Sequence, residues 1–266
     1  MNASAAFRVD RSEPLGLWTG SIEPPASDPE LRALRFEFSS RGDRVPGRLW
    51  LPPSGDGPFP LVLLQHGLGA SKDAPYLDAT AGPWVRRGVA VASIDFPLHG
   101  DRSDAKSARH LASVLAPVAD TDPASQSFFV SCLRQSVIDL QRTLDAVAGM
   151  RIIDESRIAY AGFSLGTIVG AIFCSVDSRP RAAALALGGG GFGPSEVDPV
   201  RHVAGIAPRP VLFVNATHDA TIPREASEAL FEAAGEPKEL LWFDGTHTQL
   251  PGRALKAMWL FLRRHL

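Results

Sequence analysis

The run RIAYAGFSLGTIVGAIFCSV, residues 157–176, decides the fold. Ile158–Gly162 is a short apolar run of strand character, and Leu165–Val176 has the composition and length of a helix. Between them lies Gly162-Phe163-Ser164-Leu165-Gly166, which fits Gly-x-Ser-x-Gly. A serine there occupies a sharp strand-to-helix turn, and small glycines let the backbone pass without clash. Its hydroxyl stands clear of the sheet, and the following helix points its N-terminus at any developing negative charge. The bare pentapeptide also fits an ordinary tight turn. The strand before it and the helix after it make Ser164 the candidate nucleophile.

The same alternation extends in both directions. Leu34–Phe38 and Val45–Leu51 flank a polar turn and form an antiparallel hairpin. Leu61–Gln65 and Val89–Ile94 are near-continuous apolar runs, suited to strands buried on both faces. Ile158–Gly162, Ala182–Leu187, Val211–Asn215 and Glu239–Phe243 complete eight strands. Helices are expected over Pro75–Arg87, Ser127–Ala148, Leu165–Val176, Arg224–Ala234 and Arg253–Arg264, with Gly88 and Gly149 as stop signals. Strands interleaved with helices mean an α/β class and one mostly parallel, doubly wound sheet. A single domain over 1–266 is expected, with residues 1–30 as a surface extension and 97–126 as a small lid insertion. One short helix is expected around Val197–Gly205.

The nucleophile needs an oxyanion site, a base and an acid. His66-Gly67-Leu68-Gly69 follows the strand LVLLQ, so Leu68 N–H and Leu165 N–H are the candidate oxyanion donors. Asp219 lies just past the strand PVLFVN and His247 just past ELLWF, each in a loop able to reach the same sheet edge. The rivals are weaker. His66 at a strand end suits a loop-holding role, His218 suits a solvated one, and Asp244 shares the base's own loop. His202 and His265 end no strand. Gly67, Phe192 and Ile222 are the candidate substrate contacts, Phe192 following the glycine run 188–191.

Gly-x-Ser-x-Gly, His-Gly after a strand, and the order Ser164, Asp219, His247 resemble the α/β-hydrolase superfamily. The HGLGASKD loop and the segment Asp95-Phe96-Pro97-Leu98-His99-Gly100-Asp101-Arg102 look like its dienelactone hydrolase and esterase-like branch. The resemblance runs from about Leu34 to the C-terminus. It implies an α/β-hydrolase fold of eight strands with a minimal cap, and the roles just given to Ser164, Asp219, His247, Leu68 and Leu165. Two departures matter: the nucleophile is Ser where dienelactone hydrolases use Cys, and Leu98 replaces the first Gly of the common Asp-x-x-Gly-x-Gly pattern.

The expected function is hydrolysis of short-chain carboxylic esters through an acyl-enzyme. A peptidase, an amidase, an acyltransferase and a non-catalytic binding protein are the alternatives on this scaffold. No cofactor is expected, and no metal, because His99, Asp101 and His110 lack paired ligand spacing. Lys+Arg 27 against Asp+Glu 29 gives no basic footprint, so nucleic acid is not an expected partner. No apolar window approaches a membrane span, the first residues do not look like a signal peptide, and a cytoplasmic location is expected. The two cysteines, Cys132 and Cys174, have no metal-like spacing and suit buried thiols. A small-molecule ester is the expected partner, with the oligomeric state left open.

Overall fold

The computed structural model describes residues 3–22, 30–104, 106, 109, 123–191 and 194–266. Nine strands form one sheet in the order β1-β2-β3-β5-β4-β6-β7-β8-β9. They are β1 Trp18–Ser21, β2 Arg32–Ser40, β3 Asp43–Leu51, β4 Phe59–Gln65, β5 Ala90–Ile94, β6 Ile153–Phe163, β7 Pro180–Ala186, β8 Val211–Ala216 and β9 Lys238–Phe243. The first three strands run antiparallel down to the β3–β5 pair, and β5 through β9 are parallel. This is the α/β-hydrolase architecture.

The sheet is buried on both faces at its centre because β4, β5 and the second half of β6 are apolar at nearly every position, Gln65 and Ser93 excepted. On one face Leu61, Leu63, Tyr160 and Leu185 meet α2 (Pro123–Gly149) and α3 (Leu165–Val176), with Leu230 of α4 (Arg224–Ala233) in the same cluster. On the other, Val62, Leu64, Ala159 and Ala161 meet α1 (Pro75–Val85) and α5 (Gly252–Leu262). Helices on both faces leave the central strands no wet side, which is why they read as continuous apolar runs rather than alternating ones. Cys132 and Cys174 are buried free thiols.

Three differences from the sequence reading have local causes. A ninth strand, β1, pairs with β2 at the sheet edge. Its four residues, WTGS, are mostly exposed and carry no apolar alternation, so the sequence holds no strand signal there. The N-terminal residues before it also dock: Phe7 is fully buried, its carbonyl accepts from Gln141 Nε2, and Glu13 accepts from the amides of Arg41 and Gly42. Around Val197–Gly205 there is no α-helix but three successive 3-10 turns, Ser195–Val197, Pro199–Arg201 and Val203–Ile206. Pro199 and the Asp198 carboxylate, which accepts from Val200 N–H, break the run into single turns. Most of the expected lid lies outside the described residues, at 105, 107–108 and 110–122, as does Phe192.

The connection from β4 runs through α1 toward β5, and the one from β6 runs through α3 toward β7 on the opposite side. The carboxyl ends of β4 and β6 therefore flank the point where the chain changes direction. In sheets of this type that crevice is where ligands sit.

Candidate active site

Ser164 stands in that crevice. Its φ of 53° and ψ of −110° lie outside the usual regions for a residue with a side chain. Such a conformation costs about 1–3 kcal/mol and persists only where the surroundings enforce it. Here they do: Ser164 N–H donates to Ala186 O at 2.9 Å, and the amides of Thr167 and Ile168 donate back to Ser164 O. Thr167 Oγ1, donor to both Gly162 O and Ala186 O, ties the elbow to β7. The two glycines are needed for close approach. A β-carbon at Gly162 would collide with Gly166 O, and one at Gly166 would lie 2.7 Å from Gln65 O.

His247 bridges the other two expected residues. Its Nε2 lies 2.9 Å from Ser164 Oγ, and its Nδ1 lies 2.7 Å from Asp219 Oδ2. The other oxygen of Asp219 accepts from Thr221 N–H and Ile222 N–H, both at 2.8 Å. Burial works to raise the Asp219 pKa, but the His247 hydrogen bond and the two amides outweigh it and hold the carboxyl below its usual range. A carboxylate so held stays ionised at neutral pH and fixes the ring with Nδ1 protonated, leaving Nε2 free to accept from the serine. The loops after β8 and β9 are joined by Thr217 N–H to Phe243 O and His218 N–H to Gly245 O.

The rivals are drawn elsewhere. His218 and Asp244 pair with each other at 3.2 Å, 71% and 81% exposed, away from the serine. His66 is fully buried; Nδ1–H donates to Gly67 O at 2.8 Å and Nε2 accepts from Phe96 N–H at 3.3 Å. Burial, with His99 and Lys72 nearby, pushes its pKa down to about 3, so it is a neutral brace for the loop. Asp101 is paired with Lys72, His99 Nδ1–H donates to Pro97 O, and His110 lies outside the described residues. Among the described residues there is no cluster of His, Cys, Asp or Glu fit to hold a metal, and no helix long and apolar enough to cross a membrane.

Of the expected contacts, Gly67 lies against the serine: a β-carbon there would sit 3.3 Å from Ser164 Cβ and 3.9 Å from Oγ. Leu68, the next residue, is 37% exposed. Leu165 begins α3 beside Ser164. Ile222 is only 5% exposed, its side chain lies close to the Gly189 backbone, and its amide holds Asp219.

The family model for the FrsA-like esterases matches residues 27–189, a stretch holding Gly67, Leu68, Ser164 and Leu165. The chain belongs to the FrsA-like esterase family. Esterase FrsA of Escherichia coli O157:H7 is 31% identical over 153 residues, a match covering 57% of this FrsA-like chain and 30% of that protein. The chain thus spans about a third of the length of that curated relative. Among solved structures, a cold-adapted esterase from an Arctic intertidal metagenomic library superposes with a TM-score of 0.71 at 24% identity, covering 92% of this chain and 97% of that one. An acetyl xylan esterase from Paenibacillus sp. R4 superposes with a TM-score of 0.74 at 20% identity, covering 100% and 92%. At such identities these likenesses speak to the fold.

Two residues of the FrsA-like chain were not singled out from sequence. Tyr76 at the start of α1 accepts from Gly67 N–H at 2.9 Å and stacks edge-on against Phe163, so it fixes the loop beside the serine. Lys72 is 1% exposed and bonds Asp95, Asp101 and Asp73 at 2.9, 2.9 and 3.0 Å. Burial alone would lower its pKa, but the three carboxylates raise it, so the ammonium stays charged. The HGLGASKD resemblance covers Lys72, yet nothing in the spacing names its partners Asp95 and Asp101, which lie 23 and 29 residues away.

Proposed function

We propose that the chain is a serine carboxylesterase acting on small-molecule esters through an acyl-enzyme. The observation carrying this reading is the unbroken line from Asp219 through His247 to Ser164, with contacts of 2.7 Å and 2.9 Å. In acylation His247 Nε2 takes the Ser164 proton as Oγ bonds to the ester carbonyl carbon. The oxyanion accepts from Leu68 N–H and Leu165 N–H, donors set in place before the charge develops. As the tetrahedral species collapses, the bond to the alcohol oxygen breaks and His247 gives that oxygen the proton. Water then adds to the acyl carbon with His247 as base, releasing a carboxylic acid and restoring Ser164. Asp219 stays ionised and stabilises the imidazolium.

Short acyl groups, C2 to C6, suit this reading. Each further methylene gains roughly 0.8 kcal/mol only where an apolar channel receives it. At thirty residues, the connection 97–126 is short for the walls of a long acyl channel. A kcat/KM series on p-nitrophenyl esters from acetate to dodecanoate tests both points, with Ser164→Ala as control. The expected maximum lies between C2 and C6, with turnover lost in the alanine variant. A maximum at C10 or beyond contradicts the chain-length reading, and comparable turnover by the alanine variant contradicts the nucleophile.

A further inference from the structure

We infer that the cleft between the loops after β4 and β5 is the acyl pocket, and that Leu98 sets which acyl groups enter it. This inference rests on the ester-hydrolase reading of Ser164. The cleft has a volume of about 640 Å³ and is walled by Leu68, Ala70, Pro75, Tyr76 and Leu98, with His99 and Ser103 also lining it. It lies beside the reacting centre: Leu68, in its wall, follows Gly67, where a β-carbon would sit 3.3 Å from Ser164 Cβ, and the hydroxyl of Tyr76, also in its wall, accepts from the Gly67 amide.

The strand order says which half of an ester belongs there. His247 and Asp219 follow β9 and β8, to one side of the β6 elbow; β4 and β5 lie on the other. The leaving oxygen must sit near His247 Nε2 to receive its proton. The acyl substituent on the carbonyl carbon is then free to extend toward β4 and β5, where the cleft lies.

Leu98 carries the second, independent observation. Its φ is +68°, in the left-handed region that a side-chain-bearing residue adopts at a cost and glycine adopts freely. A glycine would make the turn with less strain. What Leu98 adds is its side chain, half-buried, packed against the core and lining the cleft. Strain held at a ligand wall points to a role for the strained residue.

The polar part of the wall narrows the ligand class. His99 donates Nδ1–H to Pro97 O, and burial lowers its pKa, so the ring is neutral at pH 7. Asp73 lines the same cleft already paired with Lys72, Arg48 and Arg35, and no lysine or arginine is among the described lining residues to receive a carboxylate. The pocket therefore suits uncharged aliphatic acyl groups.

The test compares kcat/KM on p-nitrophenyl acetate, hexanoate and 2-ethylbutyrate for the wild type, Leu98→Phe and Leu98→Gly. The bulkier phenylalanine is expected to lower the hexanoate-to-acetate ratio at least tenfold. Glycine is expected to raise the 2-ethylbutyrate-to-acetate ratio at least fivefold, with a melting temperature no lower than that of Leu98→Ala. Ratios within twofold of wild type in both Leu98 variants overturn the inference while leaving the Ser164 reading intact. So does a change that follows the alcohol in an acetate series from methyl to benzyl. A wild-type chain with no ester turnover sinks the ester reading and this one together.

Discussion

On the β4–β5 side of Ser164, Lys72, Asp95 and His66 are buried and each makes two or more bonds, while Tyr76 is 40% exposed. Lys72 is 1% exposed among three carboxylates, and Asp95, fully buried, also accepts from the amides of Lys72 and Asp101. His66 and Tyr76 brace the loop between them. On the β8–β9 side Asp219 and His247 ride on surface loops whose neighbours His218 and Asp244 are largely in solvent. Two backbone bonds join those loops, and the Asp219 carboxylate is fixed by two local amides and the ring itself. The difference separates two requirements. Donors for a developing charge gain from rigidity and burial, because reorganisation at the moment of reaction adds to the barrier. A proton carrier needs only one well-directed partner on each nitrogen.

If that division is right, damage on the two sides takes different forms. The largest effect is expected at the carboxylate. Asp219→Asn should lower kcat by about 10³–10⁴, because an amide can donate to the ring and favour the wrong tautomer. Asp244→Asn should leave kcat within about twofold, since its partner is the exposed His218. Kinetics on the two variants measure this, and a larger loss in Asp244→Asn would reverse the assignment of the acid.

On the opposite side the expected damage is to stability. Lys72→Met leaves the buried Asp95 carboxylate without its cation, a change worth about 3–5 kcal/mol for a buried pair broken on one side. Chemical denaturation of the variant checks this, and a loss under about 1 kcal/mol would show that the cluster is not what holds the loop. A smaller effect is expected at Tyr76. Tyr76→Phe removes one hydrogen bond to Gly67, so kcat should fall about three- to tenfold, in line with 0.5–1.5 kcal/mol, with KM little changed. A rise in KM at constant kcat would instead make Tyr76 a ground-state binding residue.

The same contrast governs what could be read in the sequence. Ser164, Asp219 and His247 each follow a strongly apolar strand, so sheet topology brings them to one edge and their spacing alone is informative. The parallel strands were legible for the same reason, being buried on both faces. β1 was not, because an exposed four-residue edge strand has no pattern to show. The three turns at 195–206 follow from local proline and Asx chemistry, which competes with helix in a way that periodicity cannot rank. The Lys72 cluster and the Tyr76–Gly67 bond depend on how two loops meet in space. Lysine beside aspartate in HGLGASKD reads as an ordinary surface pair until the fold buries it. Leu98 showed in the sequence only as a departure from a glycine pattern, and its φ of +68° gives that departure a physical meaning.

The central claim is that Ser164 is an activated nucleophile. The most direct measurement is labelling of the folded protein with a fluorophosphonate, followed by peptide mass spectrometry and repeated on Ser164→Ala and Asp219→Asn. The account expects a single adduct on the peptide carrying Ser164. It should be absent in the alanine variant and formed at least about 10²-fold more slowly when Asp219 no longer fixes the ring. An adduct on another serine, or labelling that persists in Ser164→Ala, would contradict it.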